Sequence, residues 1–189
     1  MSIRSNPRFA NACILVVDDV TFTRRLIAAA LTKAGFHRIE SAENGAEALQ
    51  KTYDLCPDLV ILDLNMPKLD GFGYCELVRG DKNLPRMPII VQTGVEERKA
   101  RLRALSCGAD DFLTKPLDMD ELSLRICVHV DRYFMLRDMK DMCSYLEMEI
   151  EQTQLLRPYI EQAQAAQSGT DLFEKHLDVM KELIEVSST

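Results

Sequence analysis

Five polar side chains stand where short apolar runs of the sequence end. They comprise three carboxylates, a hydroxyl and an ammonium group: Asp18, Asp19, Asp63, Thr93 and Lys115. Because the carboxyl ends of parallel strands meet at one edge of a sheet, we expect these groups to converge in one crevice. Three carboxylates this close repel each other and raise the pKa of at least one of them. A hard divalent cation held by oxygen ligands relieves that repulsion, so the pattern predicts a Mg²⁺ site.

The predicted site contains the groups needed for phosphoryl transfer. That reaction depends mainly on positioning and charge neutralisation, and Mg²⁺ readily accepts a phosphate oxygen. One carboxylate can act as the nucleophile and become an aspartyl-phosphate. Asp63 is the best candidate, because it ends a central strand opposite the pair Asp18-Asp19. A single aspartate at a strand end is more often a turn residue or a helix cap, so the prediction depends on the whole set.

Short apolar runs alternate with helical patterns over residues 13–130, as in a doubly wound α/β fold with one parallel sheet. Three of the runs are continuously apolar, which is typical of parallel strands covered on both faces. The first helix is predicted to bury Leu26, Ile27, Ala30 and Leu31. The predicted strands are Cys13–Val17, Arg38–Ala42, Asp58–Leu62, Pro88–Gln92 and Asp111–Thr114, and the helices between them are Phe22–Ala34, Gly45–Tyr53, Phe72–Arg79 and Glu96–Cys107.

Several short motifs resemble those of the receiver domain of two-component response regulators, over about residues 11–130. They recur in order and at receiver-like intervals: Val16-Val17-Asp18-Asp19, Leu62-Asp63-Leu64-Asn65-Met66-Pro67, Asp70-Gly71, Thr93-Gly94, Gly108-Ala109-Asp110-Asp111-Phe112 and Lys115-Pro116. The resemblance implies a five-stranded, flavodoxin-like sheet with the strand order 2-1-3-4-5.

The resemblance also implies how the acidic residues act. Asp63 would accept a phosphoryl group from a phosphohistidine on a sensor histidine kinase or phosphotransfer protein. Asp19 and Asp63 would bind Mg²⁺ directly, Asp18 mainly through water, and Asn65 through its backbone carbonyl. The chain would then be a phosphoacceptor, with intrinsic self-phosphorylation and autodephosphorylation chemistry only, rather than an enzyme.

Three further residues would stabilise and report the phosphoryl group by the same resemblance. Lys115 would pair with Asp63 and later with a phosphoryl oxygen. Thr93 would bind another phosphoryl oxygen, and Phe112 would move into the space that Thr93 leaves. The pair Thr93 and Phe112 is therefore the expected switch. Many relatives have tyrosine at the position of Phe112, so a readout through that hydroxyl is not available here.

A fifth helix is predicted to begin near Leu117–Asp120 and to continue to Pro158. From Asp120 to Arg157 it has 38 residues, about 57 Å at 1.5 Å per residue, roughly twice the width of a small domain. We therefore expect its second half to project. The expected organisation is an N-terminal extension (1–12), a receiver (13–131), an extended helix with a break near Pro158 (132–167) and a C-terminal amphipathic helix (168–189).

Apolar side chains along this helix follow the 4-3 spacing of a coiled coil. The expected dimerisation residues are Met135, Met139, Met142, Leu146 and Leu156. The simplest partner for them is the same segment of a second subunit, in a parallel homodimer; a helix folded back on its own domain is the alternative. The stretch Leu146–Leu155 also resembles signalling linkers that precede cyclic-di-GMP or histidine-kinase output modules.

Charge and composition exclude several classes of partner. Residues 1–119 have 16 basic and 16 acidic side chains, whereas residues 120–189 have 7 basic and 14 acidic ones. Since a DNA-binding module is normally basic, no nucleic-acid partner is expected. No apolar run approaches the roughly 18 residues of a membrane span, and the N-terminus lacks the apolar core of a signal peptide. Six cysteines without a Cys-x-x-Cys pair indicate reduced, mostly buried thiols and a cytoplasmic location.

The sequence thus predicts a Mg²⁺-dependent response regulator that phosphorylation of Asp63 switches and that dimerises through its fifth helix. The switch would act on the dimeric assembly or on a surface that binds partners. Two alternatives remain open at this stage. One is a constitutive coiled-coil scaffold or adaptor whose receiver fold only offers a docking surface. The other is a phosphate sink or shuttle.

Overall fold

Five parallel strands form one sheet in the computed structural model, which describes residues 7–94 and 106–186. The strands are β1 (Cys13–Val17), β2 (Arg38–Ala42), β3 (Leu59–Asp63), β4 (Ile89–Gly94) and β5 (Asp111–Lys115). The helices are α1 (Pro7–Asn11), α2 (Thr21–Ala34), α3 (Gly45–Leu55), α4 (Gly71–Gly80) and α5 (Met119–Val186). The order β2-β1-β3-β4-β5, with every pairing parallel, confirms the predicted fold. Most of the predicted helix Glu96–Cys107 lies outside the described residues.

Two apolar cores cover the two faces of the sheet, because alternate residues of each strand extend to opposite faces. β1 and β3 are buried along their whole length, as their continuous apolar runs predict. Helices α3 and α4 supply side chains to one core, and α2 and α5 supply them to the other. Buried members of the first core include Leu15, Val60, Leu62, Tyr74 and Val91, and those of the second include Ile14, Ile27, Ile61, Ile90 and Leu122.

The loop from β3 to α4 is held against the end of β3. Asp70 caps α4 by accepting a hydrogen bond from the backbone N–H of Gly73 at 2.7 Å. The N–H of Gly71 donates to the carbonyl of Leu64 at 3.0 Å. A Cβ atom on Gly71 would lie 2.4 Å from the carbonyl oxygen of Asp63, so only glycine permits this approach. The Asp70-Gly71 motif therefore fixes the backbone on which Asp63 stands.

Helix α5 is longer than predicted. It runs without interruption from Met119 to Val186, 68 residues, with Pro158 inside it. The predicted break near Pro158 and the separate C-terminal helix from residue 168 are therefore wrong. A proline removes one helical hydrogen bond and costs about 3 kcal/mol, but it does not stop a helix that good helix formers extend on both sides. The flanking stretches 151–157 and 159–167 are rich in Glu, Gln, Leu and Ala.

The chain divides into two compact units, Met1–Leu136 and Arg137–Thr189. The first contains the sheet and the part of α5 that packs in its core, including Phe134 at 5% exposure. The second continues α5. Among the residues described, no helix combines the length and apolarity needed to cross a membrane. Of the six cysteines, Cys56 and Cys143 are exposed and Cys107 is half-buried, so the expectation of buried thiols holds for the other three only.

One charged cluster joins the start of β5 to α5. Both carboxylate oxygens of Asp111 accept from Arg125, at 2.8 and 3.0 Å, and His129 Nε2 lies 3.1 Å from Asp111 Oδ2. Burial acts to raise the pKa of Asp111, but the hydrogen bonds from Arg125, His129 and the N–H of Phe112 outweigh it and leave the pKa below its ordinary value. The ionised form of Asp111 is therefore the form that stabilises the fold.

We expect Asp111→Asn to lower the free energy of unfolding near neutral pH by about 1–2 kcal/mol, since a charge-assisted pair is lost. A lowered folded-state pKa contributes stability above the unfolded value of 3.8, and that stability disappears as the pH falls through the folded value. Urea unfolding at several pH values should show the difference shrinking in acid. Glu121→Gln, which removes an exposed partner of the same Arg125, is the control and should change stability by less than about 0.5 kcal/mol. An equal loss in both variants would contradict the assignment.

Candidate metal and phosphoacceptor site

The three predicted acidic residues meet at the carboxyl ends of the adjacent strands β1 and β3. One carboxylate oxygen from each of Asp18, Asp19 and Asp63 lies within 4.8 Å of the others. Asp18 is completely buried, Asp63 is 5% exposed, and Asp19 is open to solvent. The pocket is thus closed on the protein side and open beside Asp19, as a site must be to exchange a cation and admit a phosphoryl donor.

Lys115 brings a positive charge into this pocket from β5. Its Nζ donates to Asp63 Oδ2 at 2.7 Å and to Asp18 Oδ2 at 3.2 Å. Partial burial acts to lower the pKa of Lys115, but the hydrogen bonds and negative charges of Asp63 and Asp18 outweigh it and raise the pKa above its ordinary value. Lys115 is therefore an ammonium ion paired with both carboxylates. The peptide bond from Lys115 to Pro116 is cis.

Burial raises the pKa of Asp18, and the negative charge of Asp63 adds to this effect. The N–H of Val20, which donates to Asp18 Oδ1 at 2.8 Å, and the ammonium of Lys115 oppose the shift but do not cancel it. Three carboxylates and one ammonium group, that of Lys115, meet in this pocket, so acidic groups outnumber the basic group there. Oxygen ligands carrying excess negative charge suit a hard divalent cation such as Mg²⁺.

The backbone after β3 orients the Asp63 carboxylate. The N–H of Asn65 donates to Asp63 Oδ1 at 3.3 Å, while Lys115 occupies Oδ2. Each carboxylate oxygen of Asp63 therefore accepts a hydrogen bond from a different donor. Asn65, which was predicted to offer its carbonyl to the cation, stands at this position two residues after Asp63, and its side chain is exposed.

The two predicted switch residues lie on the neighbouring strands β4 and β5. Thr93 is 2% exposed, and its hydroxyl donates to the Gly94 carbonyl across a long 3.4 Å hydrogen bond. Phe112 is half-buried, is in register with Val91 and packs against the core that contains Val91. The hydroxyl is therefore weakly held, and the ring lies on the strand beside it.

Exposed apolar residues beside the pocket were missed by the sequence analysis. Val20 is 50% exposed, Phe22 is 74% exposed, and Leu26, which was predicted to be buried, is 42% exposed. Phe22 and Leu26 are four residues apart on α2 and so share one face of the helix. One feature of the sequence could have indicated this patch. Phe22 is an aromatic residue three positions after Asp19, and it precedes the residues of α2 that were predicted to be buried.

An acidic pocket with a paired lysine, at the carboxyl edge of a five-stranded parallel sheet in this order, is the arrangement of receiver domains in two-component signalling. A family model described as the response regulator receiver domain matches residues 14–127. The chain belongs to this family. Receiver domains are phosphoacceptors rather than conventional enzymes, bind Mg²⁺ at an acidic pocket, and interact with histidine kinases or phosphotransfer proteins.

Known proteins show the same similarity over the same part of the chain. The probable transcriptional regulator ycf27 of Porphyra purpurea is 44% identical over 116 residues, 60% of this chain and 45% of that protein. Response regulator PleD of Caulobacter vibrioides is 38% identical over 116 residues, 61% of this chain and 25% of that protein. The receiver domain of Francisella response regulator 1452 is 30% identical with a TM-score of 0.60, over 65% of this chain and 98% of that one. The chain therefore spans less than half the length of these two curated relatives.

Proposed function

We propose that Asp63 accepts a phosphoryl group from a phosphohistidine of a partner histidine kinase or phosphotransfer protein, in a Mg²⁺-dependent reaction. The observation that supports this best is the contact of Lys115 Nζ with Asp63 Oδ2 at 2.7 Å, beside two further carboxylates within 4.8 Å. A lysine in this position neutralises the Asp63 carboxylate. After the transfer, the same ammonium group can neutralise charge on the phosphoryl oxygens.

In the transfer, a carboxylate oxygen of Asp63 attacks phosphorus, the phosphorus–nitrogen bond breaks, and the released histidine takes up a proton. Asp19, Asp63 and the Asn65 carbonyl would hold Mg²⁺ directly and Asp18 mainly through water, and the ion would supply positive charge against the phosphoryl oxygens. The N–H of Asn65 keeps the Asp63 carboxylate oriented during the attack. The Lys115 ammonium pairs with the Asp63 carboxylate before the transfer and with a phosphoryl oxygen after it.

The cation requirement can be tested by removing the metal and by weakening its site. Phosphorylation of the wild-type chain by acetyl phosphate should stop in EDTA and return with excess Mg²⁺. Asp19→Asn should need at least about tenfold more Mg²⁺ for half-maximal phosphorylation, because one charged oxygen ligand is lost. Asp19 is exposed, so its replacement should leave the thermal unfolding midpoint nearly unchanged. Equal phosphorylation in EDTA and in Mg²⁺ would exclude a cation-dependent reaction.

The switch would depend on the weak hydrogen bond of the Thr93 hydroxyl in the unphosphorylated protein. A phosphoryl group on Asp63 offers the Thr93 hydroxyl a charged acceptor in place of the 3.4 Å bond to the Gly94 carbonyl. Movement of Thr93 makes room for the Phe112 ring on the adjacent strand. The two residues therefore couple the charge on Asp63 to the surface near β4 and β5, where partners would read it.

The partner that delivers the phosphoryl group is expected to dock on the first turns of α2. Val20, Phe22 and Leu26 form an exposed apolar patch directly after Asp19. Burying a phenylalanine side chain would contribute about 1.5–3 kcal/mol to the docking that brings a partner's histidine to the pocket. A small molecule such as acetyl phosphate needs no such contact.

Phe22→Ala should therefore separate the two phosphoryl donors. Transfer from a histidine kinase that phosphorylates the wild type should slow by about tenfold or more, since 1.4 kcal/mol corresponds to a factor of ten. Phosphorylation by acetyl phosphate should stay within about twofold of the wild-type rate. Tyr53→Ala, which removes an aromatic residue 48% exposed on α3, is the matched control. Equal slowing with both donors would mean that Phe22 supports the pocket rather than the partner.

The homodimer would form through α5, and phosphorylation would act on this assembly or on its partner-binding surface. Met135, Met139, Met142 and Leu146, at the predicted 4-3 spacing, are 47–62% exposed. The side chain of Leu156, the fifth predicted dimerisation residue, lies outside the described part of the chain. Pairing with a second copy would bury these side chains. The resemblance of the segment to signalling linkers supports a role in carrying the state of the receiver onward.

A further inference from the structure

Gln92 is a polar residue inside the sheet that the proposed mechanism does not use. It lies on β4 immediately before Thr93 and is completely buried. Its Nε2 and Oε1 have no hydrogen-bond partner, and no other buried side-chain nitrogen or oxygen in the described residues is in this position. β4 places Gln92 in register with Asp63 on β3 and with Leu113 on β5.

The register of β4 with its neighbouring strands determines which side chains lie near the carboxamide of Gln92. Residues in register on neighbouring parallel strands extend to the same face of the sheet, and so do residues two apart on one strand. The side chain of Gln92 therefore leaves the sheet on the same face as those of Asp63 and Lys115. Its strand, β4, lies between β3, which carries Asp63, and β5, which carries Lys115. Ile61, Ile90 and Leu113 of the same face belong to the core that α2 and α5 cover.

A buried carboxamide without partners is unfavourable, because it has lost its hydrogen bonds to water and gained none in return. An apolar residue of equal size would fill the same space without this penalty. Any change nearby that supplies a donor or acceptor is therefore favoured. Phosphorylation would be such a change, since it replaces the Asp63 carboxylate by an ester, moves the Lys115 ammonium, and pulls Thr93, the next residue of the chain, toward the phosphoryl group.

We infer that Gln92 is a positioning residue for the switch: its buried carboxamide is unsatisfied in the resting form and gains a partner when Asp63 is phosphorylated. Because the penalty falls on the resting form alone, Gln92 favours the phosphorylated conformation. This inference rests on the proposed function of Asp63. It adds a residue that sets the balance between the two conformations without touching the phosphoryl donor.

The test compares the full chain with Gln92→Met, which keeps the length of the side chain and removes its polar atoms. Beryllofluoride with Mg²⁺, a mimic of the acyl phosphate, is the probe, and its affinity is measured by fluorescence or NMR titration. Gln92→Met should raise the stability of the ligand-free protein and weaken beryllofluoride binding by about tenfold. Gln50→Met, at an exposed glutamine on α3, is the control and should leave the affinity unchanged.

The outcomes separate this inference from the proposed function. Absence of beryllofluoride binding by the wild type would overturn both. Normal binding by the wild type with equal affinity in Gln92→Met would overturn the role of Gln92 and leave the phosphoacceptor intact. Lower stability of ligand-free Gln92→Met would also overturn it, because Gln92 would then have a partner at rest, such as a buried water.

A second measurement uses the wild-type chain and therefore does not depend on whether a variant folds. The side-chain ¹⁵N amide signals of Gln92 in the wild-type chain should move downfield and exchange more slowly with solvent when beryllofluoride and Mg²⁺ are added. Unchanged signals under conditions where the Asp63 and Thr93 backbone amides shift would overturn the inference.

Discussion

Asp63→Asn is expected to abolish phosphorylation completely. Incubated with acetyl phosphate and Mg²⁺, the wild-type chain should gain one phosphoryl group by intact mass, and the variant should gain none. The amide nitrogen and oxygen of asparagine are far weaker nucleophiles than a carboxylate, so the chemical step is lost while the volume of the side chain is kept. Asp63 makes the shorter of the two carboxylate contacts with Lys115, 2.7 Å against 3.2 Å for Asp18, and the Asn65 N–H donates to its other oxygen at 3.3 Å.

The controls for this prediction separate chemistry from folding. Asp131→Asn, at an exposed aspartate of α5, should be phosphorylated like the wild type. Circular dichroism should show the same fold in all three proteins. A phosphoryl group on Asp63→Asn would mean that Asp18 or Asp19 is the acceptor. An unmodified wild type would favour the constitutive scaffold, because that function needs no acyl phosphate.

Phosphoryl lifetime distinguishes a switch from a phosphate sink or shuttle. A shuttle returns its phosphoryl group rapidly to a phosphohistidine partner, whereas a switch keeps it long enough to change a surface. The buried Thr93 and the Asp63–Lys115 pair fit either function chemically. Movement of the Phe112 ring on addition of beryllofluoride, followed by its NMR signals, is expected only of the switch.

The strands and the site were predictable from local sequence because burial and chemistry coincide there. β1 and β3 are continuous apolar runs, and a polar residue at the end of such a run must lie at the edge of the sheet. This logic predicted that Asp18 and Asp63 lie together at one edge of the sheet, as their carboxylates do. The same convergence predicted that Lys115 would lie in this crevice, whereas its pairing with Asp63 was implied by the resemblance to receiver domains.

Other features depend on interactions that a local pattern does not contain. Leu26 and Ile27 are adjacent on α2, and periodicity alone did not decide that only Ile27 would be buried. Pro158 is locally unfavourable to a helix, but the long helix-forming stretches around it maintain α5. Gln92 was assigned correctly to a strand, but its lack of partners depends on side chains from other strands and helices.

Helix α5 is expected to hold two copies of the chain together, and disrupting its apolar face should produce a monomer. The double variant Met139→Glu, Met142→Glu puts two charges into the predicted seam of the full-length chain. Each buried methionine would otherwise contribute about 1.5–3 kcal/mol, and a buried unpaired charge costs more than that. Light scattering should therefore show the dimer mass for the wild type and the monomer mass for the variant.

The position of the substitutions determines what the result means. Met139 and Met142 lie in the second compact unit, and both are about 60% exposed, so their replacement should leave the receiver core and phosphorylation by acetyl phosphate unchanged. Asp138→Glu, Asp141→Glu adds no new charge and is the control. A chain ending at Leu136 is the appropriate truncation, because an end at residue 131 would remove Phe134 from the core.

The width of the exposed apolar face of α5 determines how many helices can pack against it. Leu136, Tyr145 and Ile150 are 55–58% exposed and occupy positions that flank the predicted seam. A two-stranded coiled coil buries mainly the seam, while flanking apolar positions extend the contact to further helices. If the double variant remains dimeric while the chain ending at Leu136 is monomeric, the flanking residues hold the assembly. If both remain dimeric, the interface lies on the receiver, and phosphorylation of Asp63 would act on it through β4 and β5 rather than through α5.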